Sequence, residues 1–345
     1  MIFKVIPKHR LPALYELLAV NIMVGPVYKG VDRNGKSLYD FDVVYSFDEL
    51  ALEYTATIHS AKRFVLPYQE TLSSFDITPS GWKKHVDINV YRPLVFFGMH
   101  PCDINALNKL DMVLAESVYP NPYYKGKRKN MFIIGLDCKP EPQCFCRSMG
   151  TDTVLQGFDL FLSDLGDCYF AEVLSAKAFE FLKQIKCREP SSKDQRLYKS
   201  LAAERAKQFV ATVDTTDLTK ILDLEFESPA WEEWGKRCIS CGTCASVCPT
   251  CYCYGVEGHI DLDLQSASKI RTLHSCNLLD FAVVAGGHNF RPASATRLKY
   301  RYYHKHRGFV EAFEEPLCVG CGRCGEACLA DITPPEVIAS VRGRE

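Results

Sequence analysis

Two cysteine runs constrain this chain more than anything else in its 345 residues. They read Cys238-x2-Cys241-x2-Cys244-x3-Cys248-Pro249 and Cys318-x2-Cys321-x2-Cys324-x3-Cys328. Three thiolates two residues apart can wrap one corner of an iron–sulfur cube, whereas the fourth lies too far along to close the same ring and reaches a second cube. The spacing therefore predicts two [4Fe–4S] clusters with crossed ligands. Cys238, Cys241, Cys244 and Cys328 would hold one, and Cys318, Cys321, Cys324 and Cys248 the other. Gly242, Gly320 and Gly322 let the backbone pass close to the inorganic sulfides. A chain built on this pattern handles electrons.

Other uses of so many thiols fit less well. The cysteine count is 17, an odd number in a chain too long for a small disulfide-stapled fold. The first ten residues place Lys4, Lys8, His9 and Arg10 where a signal peptide needs an apolar core. Zinc needs only four thiolates and does not call for a second x2 step followed by x3-Cys. Hydrophobic residues at 47% and charged residues at 24% describe an ordinary globular protein, with length enough for two cores. No apolar run approaches membrane-spanning length. A net charge of −1 argues against general nucleic-acid binding. Many reduced thiols imply a reducing cytoplasm in an organism that avoids oxygen.

The expected fold class is α+β. A mixed α/β domain over residues 1–228 precedes an α-helical ferredoxin-like domain over 229–345 with the two clusters, Pro229 marking the linker. In the first domain a helix is expected over 10–20 and buried strands over 94–98 and 131–135. After the first strand Asp103 should cap a helix carrying Ile104, Leu107, Leu110 and Leu114 on one side. A hairpin is expected from 158–162 and 168–173, then helices over 176–186 and 194–209. Residues 123–129 read as a solvated loop and 285–292 as a turn. The insert between the cluster runs reads as helical, over 261–271, 276–284 and 294–308, the last with Ser294 as N-cap and Gly308 as stop. There is no G-x-G-x-x-G after a strand and no P-loop, so no nucleotide site is expected.

The two expected buried strands each run into a cysteine, Cys102 and Cys138, and Cys144-Phe145-Cys146 follows closely. Ligands in open α/β sheets gather beyond the carboxyl ends of strands, so these four thiols can converge. Four is the number a third cube needs. Zinc, or plain buried and redox-active thiols, are the competing readings of the same set. Cys251, Cys253 and Cys276 leave a site one ligand short unless His274, His288 or a carboxylate completes it. The simpler reading is that they surround a neighbouring cube and tune it. Cys168 and Cys187 are isolated and carry no expected role. The basic and aromatic stretch 297–307 can offset the negative charge of the cubes or dock an acidic partner.

Together, Phe97-Gly98-Met99-His100-Pro101-Cys102-Asp103-Ile104, Cys144-Phe145-Cys146, Cys248-Pro249-Thr250-Cys251-Tyr252-Cys253-Tyr254 and Gly286-Gly287-His288-Asn289-Phe290-Arg291-Pro292 carry a resemblance. The chain resembles the iron–sulfur beta subunit of soluble NiFe sulfhydrogenases, and almost as closely the iron–sulfur subunit of anaerobic sulfite reductase. The resemblance runs from about residue 60 to 330; one departure is Leu329 after Cys328, where proline is usual. It implies a subunit relaying electrons between a flavin subunit that binds NAD(P)H and a terminal metalloenzyme of NiFe hydrogenase or sirohaem sulfite reductase type. The expected function is therefore an electron-transfer subunit of a cytoplasmic oxidoreductase complex, with no catalytic site of its own, no nucleic acid and no membrane. Heterodisulfide-reductase-linked relays fit the same pattern. A cluster with its own open iron at Cys251, Cys253 and Cys276 is a second class of reading. An iron–sulfur sensor is a third, for which no helix-turn-helix is visible.

Overall fold

A computed structural model describes residues 2–86, 88 and 91–343. In chain order the N-terminal part contains β1 (Ile2–Pro7), α1 (Leu11–Leu18), β2 (Ile22–Val31), β3 (Ser37–Val43), β4 (Gln69–Thr78), β5 (Gly81–His85), β6 (Leu94–Met99), α2 (Pro101–Leu114) and α3 (Pro122–Lys129). There follow β7 (Met131–Leu136), β8 (Leu160–Asp164), β9 (Cys168–Val173), α4 (Ala176–Gln184), α5 (Ser192–Lys207) and α6 (Leu218–Leu224). The remainder holds α7 (Ala230–Arg237), α8 (Thr243–Ser246), β10 (Tyr254–Ile260), β11 (Ser266–Leu273), α9 (Ser294–Tyr303), α10 (Phe309–Phe313), α11 (Arg323–Glu326) and α12 (Pro334–Val341). The fold is thus mixed, with both sheets and helices.

Seven strands form the larger sheet in the order β1-β9-β8-β7-β6-β2-β3. Its centre, β2–β6–β7–β8, is parallel, while β9, β1 and β3 run antiparallel on the flanks. β6 and β7 are continuous apolar runs because both faces are covered. Phe96, Phe97, Ile133 and Ile134 are buried there with Ile104, Leu107 and Leu110 of α2. Parallel pairing also sets the carboxyl ends of β6 and β7 side by side. Asp103 is not the cap of α2: the capping position is His100, and Asp103 lies within the first turn with another partner. Residues 123–129 are not a solvated loop. Asn121 caps α3 through the backbone N–H groups of Tyr123 and Tyr124, and Tyr124 and Lys127 are buried.

The second sheet, in the order β10-β11-β4-β5, corrects the helical reading of the insert. β11 pairs antiparallel with β4, so a hairpin from between the cluster runs joins a hairpin from the N-terminal part. Within 261–271, Leu262 and Leu264 are exposed at the hairpin tip, while Ile270 and Thr272 sit in the ladder. The β-branched character of that segment wins once a partner edge is available, and that edge lies some two hundred residues away in sequence. Residues 276–284 contain only a single tight turn at Leu279–Ala282. The third expected helix exists, but Gly308 does not stop it: α9 continues through a wide turn at His304–Gly308 into α10. Ser294 is its first residue and donates its hydroxyl to Gly235 O at 2.7 Å. A second core joins α6, α7, α9 and α12 through Leu222, Trp231, Leu298, Tyr302 and Ile338, and includes Phe145 from the N-terminal part.

Candidate iron–sulfur centres

The first run leaves α7 at Cys238, turns through Gly242 (φ +78°) and enters the single turn of α8. Cys238, Cys241 and Cys244 face one cavity, and Cys324 and Cys328 of the second run close its far side. Cys248 does not face it. Instead Cys248 lines an adjoining cavity with Cys318, Cys321 and Cys324. The two runs thus exchange their fourth cysteines, and Cys324 stands in the wall between the cavities. Burial pushes the thiols of Cys244 and Cys318 up to about 11, so these sulfurs do not ionise readily by themselves. Polar groups nevertheless reach them: Asn277 Nδ2 donates to Cys244 Sγ at 3.2 Å, and Gly320 N–H donates to Cys318 Sγ at 3.4 Å.

A third cavity lies beyond the carboxyl ends of β6 and β7, where Cys102, Cys138, Cys144 and Cys146 meet. Cys102 is in the first turn of α2, Cys138 two residues past β7, and the other two in the loop that follows. The Cys146 thiol contacts those of Cys102 and Cys144, and these contacts and burial push its ionisation up. Burial, then the neighbouring Cys102, does the same for Cys138. His100, stacked on Tyr54 at 3.9 Å, is lowered to about 3 by burial and stays neutral.

This third group leans on the second run. Phe145 N–H donates to Gly320 O at 2.8 Å, Cys146 Sγ to Gly320 O at 3.2 Å and Cys144 Sγ to Cys321 O at 3.4 Å. Gly320 adopts φ +64°, and a Cβ there would lie 2.7 Å from Cys146 N and Phe145 C. Only glycine permits that approach. Cys321 lines both the third cavity and the one holding Cys248. Arg323, between Cys321 and Cys324, clamps the contact: it donates to Asp103 Oδ1 at 3.0 Å and Oδ2 at 2.6 Å, and to Thr57 O at 2.9 Å. All of these groups are buried, so the ion pair fixes how the two parts meet.

Cys251 touches Cys248, and its carbonyl accepts from Lys62 Nζ at 2.9 Å. Cys251 and Cys253 line a cavity of about 720 Å³ together with Cys241, Lys62 and His274. Cys276 is buried beyond the end of β11 and feels the charge of Cys248. Among the described residues, no three His, Cys, Asp or Glu side chains are arranged to hold a single metal ion. Cys168 lies at the start of β9, and Cys187 donates to Leu182 O at 3.4 Å; neither lines these cavities. Sequence reading missed Arg323, Asn277 and Thr250. Arg323 carried a signal, being a charged side chain inside a ligand loop where the first run has Thr243.

Adjoining thiol-lined cavities built from two interlocked cysteine runs define a class of iron–sulfur protein. Residues 237–332 match the 4Fe–4S dicluster domain family. Sulfhydrogenase 2 subunit beta of Pyrococcus furiosus is 39% identical over 323 residues, covering 92% of this chain and 93% of that protein. The chain belongs to the sulfhydrogenase beta-subunit family. No solved structure matches it.

Proposed function

We propose that this chain is the iron–sulfur relay of a multisubunit oxidoreductase of the hydrogenase type. Cys238, Cys241, Cys244 and Cys328 hold one [4Fe–4S] cube, Cys248, Cys318, Cys321 and Cys324 a second, and Cys102, Cys138, Cys144 and Cys146 a third. The observation that carries this reading is the sharing of walls: Cys324 stands between the first and second cavities and Cys321 between the second and third. The donor sets suit cubes, being all thiol and spread around voids with backbone and amide N–H groups aimed at sulfur. When bound, the cubes supply one-electron storage at three adjacent positions. The protein's own residues space them, exclude water and fix their order through Gly320 and the Arg323–Asp103 pair.

A flavin subunit that binds NAD(P)H would meet one end of this row and a NiFe metalloenzyme the other, in the cytoplasm. The 39% identity to a sulfhydrogenase subunit favours that partner over a sirohaem enzyme or a heterodisulfide reductase. Among the described residues no helix is long and apolar enough to cross a membrane. Cys251, Cys253 and Cys276 belong to the surroundings of the cubes, since Cys251 packs on Cys248.

The test is Cys138→Ser in the assembled complex. Electron flow from NAD(P)H to the terminal acceptor should fall sharply while the terminal partner keeps its activity with an artificial donor. Wild-type flow after verified loss of the N-terminal centre would reduce that part of the chain to a docking module.

A further inference from the structure

The helix α9 and the turn after it carry three buried cations spaced four residues apart: Arg297, Arg301 and Lys305. Arg297 is saturated by neutral oxygens, at Asn277 O (3.0 Å), Arg291 O (2.9 Å), Pro292 O (2.7 Å) and Ser240 Oγ (2.8 Å). It ties the insert to the first cysteine loop. The other two are different. Arg301 has one hydrogen bond, to Cys244 O at 3.5 Å, and its Nε has no partner. Lys305 Nζ donates only to Thr250 Oγ1, at 3.0 Å, and that hydroxyl lies 3.5 Å from Cys248 Sγ. Neither forms an ion pair with a carboxylate among the described residues.

A buried charge without an opposite charge costs far more than a folded chain of this size can spare. The required negative charge must therefore lie in what these cations face. Arg301 lines both C-terminal cavities, and Lys305 lines only the one holding Cys248, Cys318, Cys321 and Cys324. Four thiolates around a cube leave net negative charge there, and net charge is one of the quantities that sets a cluster's potential. Resting on the ligand sets proposed above, we infer that Arg301 is a counter-cation shared by the two C-terminal cubes and that Lys305, working with Thr250, serves the second cube alone. Each electron added to either cube increases the negative charge facing Arg301. The shared cation thus raises both potentials, and Lys305 adds a further rise at the middle position of the row. Asp103, which neutralises Arg323 near the third cavity, denies the N-terminal centre an equivalent uncompensated charge.

The experiment is an EPR-monitored redox titration of the full chain, purified and reconstituted without oxygen, with iron content measured on every sample. Arg301→Gln should lower the midpoints of both C-terminal cubes, each by at least a tenfold change in the reduction equilibrium, 59 mV for a one-electron couple. Lys305→Gln should lower only the cube of Cys248. Arg301→Lys, which keeps the charge, should restore most of the shift, and the N-terminal centre should stay in place as an internal reference. Unmoved midpoints in Arg301→Gln with full iron would overturn the inference. So would Arg301→Lys displaced as far as Arg301→Gln. Should the Gln variant not load, a loaded Arg301→Lys with wild-type midpoints supports the assignment and a shifted one contradicts it. Wild-type protein lacking cubes would instead overturn the ligand sets themselves, and the inference with them.

Discussion

The C-terminal and N-terminal cysteines surround their cavities by different routes. Each ferredoxin-type run brings three thiols to one cavity through local turns, with Gly242 or Gly322 in the left-handed region just before a short helix. The N-terminal four depend on topology: parallel strands β6 and β7 end together, and only then do Cys102 and Cys138 meet the Cys144–Cys146 loop. Charge differs in the same way. The C-terminal cavities face Arg301 and Lys305, which have no carboxylate, whereas Arg323 at the N-terminal cavity is held by Asp103. Local geometry makes a ligand set robust to changes elsewhere. A topological set depends on the contact that holds the two parts together.

The sharpest way to break this comparison is to remove an exchanged ligand. Cys328→Ser should cost the cube seated at Cys238, Cys241 and Cys244, lowering iron from about 12 to about 8 per chain. EPR should still show the cube of Cys318, Cys321 and Cys324. Loss of that second cube instead would mean the ligands are not crossed. Next in size, Arg323→Leu leaves Asp103 buried without a partner and should destabilise the folded chain by about 3–5 kcal/mol in anaerobic denaturant titration. Replacing Asp103 by Leu as well should recover much of that. A double variant as unstable as the single one would contradict the clamp.

Gly320→Ala tests the contact itself. Positive φ and the overlap with Cys146 and Phe145 predict a cost of about 2–4 kcal/mol. The second and third centres should become labile together while the first persists, as read by iron release to a chelator. The smallest effect sharpens the comparison by serving as a control away from every cavity. The Asp194 carboxyl, held below its ordinary range chiefly by Arg188 and then by Ser191, closes the capping box of α5. Asp194→Asn should cost about 1 kcal/mol without moving any centre. Since the folded-state carboxyl is the stronger acid, this contribution is present above about pH 4 and is lost as pH falls further. An unchanged melting temperature would remove the capping contribution.

How much of this was readable in the sequence follows the same division. The cysteine runs announced themselves by spacing, and the buried strands β6 and β7 by continuous apolar character. The Phe158–Leu162 and Cys168–Val173 region formed a hairpin close to the expected bounds, as β8 and β9. The hairpin β10–β11 was not readable because its pairing edge, β4, lies far away in the chain, and helix and strand periods compete over so short a segment. Asp103 looked like a cap because aspartate favours that position; its partner Arg323 is distant in sequence and becomes adjacent only when the two parts meet. The basic stretch 297–307 was visible, but which of its cations lack a carboxylate is a property of the packed structure.

The most direct measurement is an anomalous-scattering map at the iron edge from crystals of the full chain grown without oxygen. The account predicts three four-iron centres in a row. Cys328 would be bound with Cys238, Cys241 and Cys244, Cys248 with Cys318, Cys321 and Cys324, and the third centre would lie on Cys102, Cys138, Cys144 and Cys146. Cys248 bound beside Cys238, or no iron at the N-terminal four, would contradict it.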